Sequence, residues 1–153
     1  MFTRLSAVTV MLFTLFCTLA QPALAEEHGT AAEAKSMVQK AITAMKKNGI
    51  ESTIAEINKR DGQYKDKDLY VVVYSMSGQN LAHLNPKMVG KDMIELTDVD
   101  GKHFIKERIE LAKKNGSAWQ DYKFLNPVSK QIEPKSMYIE KFDTVIVGCG
   151  IYK

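Results

Sequence analysis

The feature that most constrains this chain is a change of hydrophobic period at Asp61-Gly62. From Thr30 to that point apolar residues recur every three or four positions. In the strand that follows they alternate or run on without interruption. "TAAEAKSMVQKAITAMKKN", Thr30 to Asn48, sets Met37, Ala41, Ala44 and Met45 on one stripe of an amphipathic helix that Asn48-Gly49 stops. "IESTIAEINKR" carries the helical spacing on through Ile50, Ile54 and Ile57, and the polar "QYKDKD" reads as a loop. "DLYVVVYSM", Asp68 to Met76, is β-branched and aromatic, a strand whose evenly spaced Tyr70, Tyr74 and Met76 share one face. Ser77-Gly78-Gln79-Asn80 reads as a hairpin turn and "LAHL" as the return strand.

A connection with Pro86 and Gly90 follows, expected to hold little regular structure. Asp100-Gly101 then opens a second helix with Phe104, Ile105, Ile109 and Ala112 inward, and Asn115-Gly116 ends it. Three extended runs complete the chain: Ala118 to Leu125, Lys135 to Phe142 and Thr144 to Tyr152, the first two joined by a loop over Asn126 to Pro134. This order predicts an α+β fold with one five-stranded antiparallel sheet. The long N-terminal helix covers one face and the crossover helix the other. The expected division is a signal peptide over 1–25, a helical segment over 26–66 and a sheet domain over 67–153, with 26–153 one globular unit.

The first 25 residues read as an export signal. Arg4 precedes the apolar run "LSAVTVMLFTLFCTLA", too short for a confident membrane span, and Ala23-Leu24-Ala25 is a small-x-small cleavage site. Cleavage after Ala25 leaves no stable membrane anchor and predicts a periplasmic or secreted protein. Losing Arg4 lowers the net charge from +3 to +2. A near-neutral chain without a basic patch excludes nucleic acid as the expected partner. Of the two cysteines, Cys17 leaves with the signal and Cys149 sits in the apolar "TVIVGCGIY". Cys149 reads as a small packed side chain, with a dimer-linking or redox role as the alternative.

No Cys/His set has zinc or haem spacing, and "DVDG" lacks the further acids of an EF-hand loop. Capping of the second helix by Asp100 is the simpler account of that stretch. No serine or cysteine is paired with a histidine in a recognised pattern, so no catalytic residue, metal or cofactor is expected and the chain reads as a non-enzyme. His28 and His103 read as a flexible terminus and an exposed helix start.

The pieces "VVVYSMSGQNLAHLNPKMVGKDM", "DVDGKHFIKERIELAKKNGSAWQDYKFLNP", "PKSMYIEKF" and "VIVGCGIYK" together resemble the single Cache domain, a PAS-like extracellular sensor module. The resemblance runs from about Asp68 to Lys153, and the N-terminal helix fits the long helix that opens such domains. It implies a periplasmic sensing role in chemotaxis or signal transduction. It also implies a pocket between sheet and crossover for a small carboxylate or amino-acid-like ligand, with a membrane receptor as a possible partner. The last strand ends at Lys153, from which the expectation is a domain that senses without itself signalling across a membrane.

The resemblance places Trp119, Tyr122, Lys135 and Tyr138 at or near that pocket, and matches His83 in "LAHLNP" to a histidine at the end of the second strand. Chemically, Lys135 supplies charge, Tyr122 and Tyr138 supply hydroxyls, and Trp119, Tyr70 and Tyr74 supply an apolar wall. A hairpin centred near Lys130 sets Tyr122 opposite Tyr138. Yet Trp119 and Tyr122 are three apart, as are Lys135 and Tyr138, so in regular strands each pair points to opposite faces. Ordinary packing is the competing account of the aromatics, an exposed ammonium that of Lys135, and a bond to the crossover loop that of His83. Gly148 and Gly150 share a face of the last strand and leave space for a ligand or for close packing. A protein–protein interaction module acting with a membrane receptor or kinase is the alternative function.

Mass spectrometry of the exported protein should read a chain beginning at Glu26, whereas a retained Met1 would make the first segment an anchor.

Overall fold

A computed structural model of the chain describes residues 28–153, so the expected signal peptide lies outside the described residues. Helix α1 (Ala31–Asn48) starts at a capping box. The Thr30 hydroxyl accepts the Glu33 N–H, and the Glu33 carboxylate accepts the Thr30 N–H at 2.7 Å. Ala34, Val38, Ala41, Ile42 and Met45 form its buried stripe. Gly49 adopts φ +88°, a conformation that turns the chain into α2 (Ile50–Ile57) at little steric cost.

The strands are β1 (Lys65–Asp66), β2 (Leu69–Ser75), β3 (Asn80–Ala82), β4 (Ser117–Leu125), β5 (Ile132–Phe142) and β6 (Val145–Tyr152). A 3-10 turn at Pro86–Met88 and helix α3 (Phe104–Asn115) lie in the crossover from β3 to β4. The five main strands pair antiparallel, as expected, and their order is β3-β2-β6-β5-β4. Strand β1 is added to that expectation. Its two residues, inside the stretch read as a loop, pair with Leu69 and Tyr70.

Strand alternation sorts the side chains into two layers. Val71, Val73, Tyr138, Val145, Val147 and Cys149 pack under α1. Tyr70, Val72, Tyr74, Tyr122, Met137, Ile139 and Ile146 pack under α3 and the crossover, where Phe104, Ile105, Ile109 and Ala112 form the expected inner stripe. Cys149 is fully buried, and burial pushes its thiol up to about 12, which makes it an inert packed side chain.

Four local expectations are corrected. The β4–β5 loop is shorter than read, because β5 begins at Ile132 and includes Pro134, which pairs with Lys123 and accepts the Lys153 N–H through its carbonyl. The shorter loop shifts the register, so Tyr122 faces Lys135 and Trp119 faces Tyr138; Tyr122 and Tyr138 are not partners. Asp100 does not cap α3. Its neighbour Asp98 accepts the backbone N–H groups of Asp100, Lys102 and Lys123, while Asp100 pairs with the Lys123 ammonium at 2.9 Å. His28 is not a loose end, since its Nδ1 lies 2.8 Å from the buried Asp68 carboxylate.

That carboxylate also accepts the Gly29 N–H at 2.7 Å, where a β-carbon on Gly29 would strike Leu69. Asp68 therefore fixes where α1 begins over the sheet. Asp68→Ala should cost about 2 kcal/mol by orphaning a buried N–H. The loss would appear as a lower urea midpoint at unchanged slope, and an unmoved midpoint would show that the tie contributes nothing.

Candidate functional site

Lys135 sits in mid-strand with its side chain on the α3 face, 1% exposed. Its path is carved by Gly150 on β6, where an added β-carbon would lie 2.4 Å from Lys135 Cε. The glycine space noted in the sequence is thus filled by the Lys135 stem, and at Gly148 by Met137 and Ile139. At the end of the stem the ammonium donates to the hydroxyls of Tyr70 and Tyr152, each at 3.0 Å. It lies 4.1 Å and 4.3 Å from the centroids of the same two rings. The Tyr152 hydroxyl passes its own proton to the Leu125 carbonyl at 2.8 Å, so the phenols are held in a directed chain.

Among the described residues no carboxylate forms an ion pair with Lys135. Burial is the main reason its ammonium is held down to about 7, and the nearby Arg108 adds to the effect. The Tyr70 phenol is pushed well above its ordinary range by burial and stays protonated.

His83 follows β3 directly and is buried. Its Nδ1 accepts the Asn85 N–H at 2.9 Å, which leaves the ring proton of the neutral form on Nε2. Burial, then the charges of Lys135 and Arg108, hold this imidazole down to about 4, so it is neutral at physiological pH. The ring meets Tyr70 edge-on at 5.4 Å and Phe124 at 6.1 Å. These residues border a cleft of about 380 Å³, closed by Leu84 and Met88 from the crossover and Pro127 from the β4–β5 loop. A second cleft of about 300 Å³ reaches Lys135 from the other side, past Tyr122 and Pro134, with a rim of paired charges such as Lys153 and Asp121.

Of the residues singled out in the sequence, Tyr70, Tyr74, His83, Tyr122 and Lys135 share the α3 side of the sheet. Tyr122 stacks on Phe104 at 4.7 Å and 17°, with its hydroxyl toward the Met137 sulfur. Trp119 and Tyr138 are not brought to this group. They face each other across the strands on the α1 side, rings 5.4 Å apart, with Trp119 41% exposed and the Lys35 ammonium over the Tyr138 ring. The three-residue spacing within each pair has this consequence in strands without a bulge.

Sequence reasoning missed Phe124, Tyr152 and above all Arg108. Arg108 lies one turn after Phe104 and one before Ala112, on the inner stripe of α3. A cation at an inward position was the available signal. Its Nε donates to Gln120 Oε1 at 3.0 Å, and the Gln120 amide donates to the Phe104 carbonyl and the Glu107 carboxylate. The assembled layer offers cations, a neutral imidazole and phenols behind aromatic walls. Such a layer is chemically suited to an anion, and among the described residues that form it no nucleophile is paired with a base.

No described helix is long and apolar enough to cross a membrane. The chain is 36% identical over 89 residues to the sensor histidine kinase MctS of Rhizobium johnstonii, a match covering 56% of this chain but 19% of that kinase. It therefore spans about a fifth of the curated relative it matches. Among solved structures it is similar to a methyl-accepting chemotaxis protein from Vibrio parahaemolyticus, with TM-score 0.66, 24% identity, and coverage of 79% of this chain and 86% of that one. It is also similar to a periplasmic sensor domain of a chemotaxis protein, with TM-score 0.62, 21% identity, and coverage of 77% and 86%. A Cache chemosensory domain solved for its recognition of carboxylic acid superposes with TM-score 0.65 at 22% identity, over 79% of this chain and 91% of that one. The family described as Single Cache domain 2 matches residues 6–153, and with its helix-covered antiparallel sheet this chain belongs to that family of sensor domains.

Proposed function

We propose that this protein is an exported sensor domain, cleaved after Ala25, that binds a small organic acid or an amino-acid-like metabolite through a carboxylate and does not turn it over. Its seat of action is the periplasm or the cell exterior, and its occupancy is read by a membrane receptor or kinase. One observation carries the reading: Lys135 is a buried ammonium that lines the smaller cleft and lies over Tyr70 and Phe124, which line the larger one, and it is served by two phenols and, among the described residues, by no carboxylate. An ammonium out of water is costly unless an anion meets it. Two of its three protons go to Tyr70 and Tyr152, which leaves one for a ligand.

In the bound state the carboxylate accepts that third proton and the Nε2 proton of His83. The faces of Tyr70 and Phe124 exclude competing water, which strengthens both bonds. The resemblance to a domain that recognises carboxylic acid supports the choice of ligand class, and the match to a sensor kinase supports the mode of readout.

A thermal-shift screen of short carboxylates and amino acids should find a ligand. At a hundredfold excess over its Kd it should stabilise the fold by about 2.7 kcal/mol. Lys135→Met should fold and lose that shift, whereas a full shift in this variant would remove Lys135 from the site.

Two pH slopes of opposite sign should accompany binding. Below about pH 7 Lys135 is charged whether or not the site is filled, so affinity is flat. Above it the anion must draw a proton onto Lys135, and affinity should fall by up to about tenfold per pH unit. Without ligand the unfolded chain keeps that proton into the ordinary lysine range while the folded chain has lost it, so stability should rise with pH from about 7 upward. Calorimetric titrations and urea midpoints across this window should show both slopes in the wild type and neither in Lys135→Met. Slopes that survive the substitution would refute the assignment.

A further inference from the structure

A second cation is sealed into the same layer. Arg108 is 1% exposed, and while its Nε is engaged by Gln120, both of its terminal nitrogens are buried without a hydrogen-bond partner. The guanidinium carbon lies 5.0 Å from the Tyr74 ring, 5.2 Å from Tyr122 and 5.4 Å from Phe104. Contact with ring faces, and the neighbouring Tyr122 hydroxyl, soften the burial of a cation but supply no anion to its terminal N–H groups. Glu107, the adjacent carboxylate, is spent on the Lys102 ammonium at 2.8 Å and on the Gln120 amide at 2.6 Å. The guanidinium is therefore held in place by a fixed amide while its forked donor end faces no anion.

Arg108 and Lys135 border one aromatic group. Phe104, Tyr122 and Phe124 are mutual neighbours with centroids between 4.7 Å and 6.0 Å apart. Arg108 lies over the first two, and the Lys135 ammonium is 5.9 Å from the third. Phe124 also lines the larger cleft, and through its contacts with Phe104 and Tyr122 it links that space to the rings that carry the guanidinium. Among the described residues neither cation is ion-paired with a carboxylate. A monoacid at Lys135 leaves one of the two charges uncompensated, and an unpartnered buried charge is among the largest single costs a fold can carry.

Given the ligand class proposed above, we infer that the preferred guest carries two acidic groups, one held by Lys135 and the other by the terminal nitrogens of Arg108, with Phe104, Tyr122 and Phe124 packing against the spacer between them. A guanidinium presents parallel donors that match a carboxylate in bidentate fashion, which a lone ammonium does not. Neutralising both cations within a water-poor layer gives the site a preference by charge count as well as by size.

The test compares matched acids on the full exported chain at about pH 6.5, where Lys135 is charged: butanoate against succinate, and pentanoate against glutarate. Calorimetry should give each diacid a Kd at least about tenfold lower than its monoacid. Arg108→Met should erase that preference while leaving the monoacid Kd within about threefold. Without ligand, Arg108→Met should melt close to the wild type, because removing an uncompensated buried charge offsets the acceptor it orphans on Gln120; an arginine serving only packing would give a clear drop.

Equal or tighter binding of the monoacids by the wild type overturns the inference without any variant, and leaves the sensor reading standing. A diacid preference that persists in Arg108→Met overturns it as well. Failure of the wild type to bind any acid of either class removes both readings together.

Discussion

The architecture depends on a sheet that needs cover on both faces. Strands β2, β5 and β6 carry apolar side chains on each side, with Val71, Val73, Val147 and Cys149 one way and Val72, Met137, Ile139 and Ile146 the other. Water must be kept from both sets, so α1 is committed to one face and the β3–β4 connection to the other. Any polar side chain on those faces is then trapped in a dry layer. Lys135 and Arg108 are trapped this way, and their chemistry follows from it: a lysine whose ammonium is held down to about 7 and an arginine whose two terminal nitrogens have no hydrogen-bond partner.

The two layers differ in character. Beneath α1 the packing is mostly small aliphatic side chains, with Tyr138 and Trp119 at the margin. Beneath α3 it is aromatic and carries the cations, with Tyr70, Tyr74, Tyr122, Phe104 and Phe124 around them. Rings suit such a layer because their faces tolerate a cation while their edges and hydroxyls orient it. Gly150 completes the arrangement by leaving out the one side chain that would block the Lys135 stem. An ordinary β-carbon there would strike Cε and displace the ammonium from its phenols.

Much of this was legible from period and punctuation. The helical stripes of α1 and α3, the break at Gly49, the two-residue period of β2 and the two-layer α+β arrangement all follow from local patterns, because each element buries one face of its own. The opposite facing of Trp119 and Tyr122 was legible too, from spacing alone. Pro134 was misleading. A proline reads as a loop residue because it lacks an N–H, yet here its carbonyl still serves the end of the chain and its place in β5 moves the hairpin register. Arg108 was passed over because a charged residue within a helix reads as surface unless its partners are known.

What the sequence determined by itself is the order of elements, their buried faces and the strand parity that separates Trp119 from Tyr122 and Lys135 from Tyr138. Those are consequences of chain geometry within single elements and between immediate neighbours. The register that puts Tyr122 beside Lys135 belongs to the folded hairpin. Only the tertiary structure decided which residues meet Lys135. Tyr70 comes from β2, far back in the chain, and Tyr152 from the paired strand β6, while His83 from the crossover and Arg108 from a helix whose docking angle no local pattern records reach Lys135 through their charge. The physical reason is that burial and electrostatic compensation belong to the packed layer as a whole. Whether a cation has an acceptor is settled only once every neighbouring element is in place.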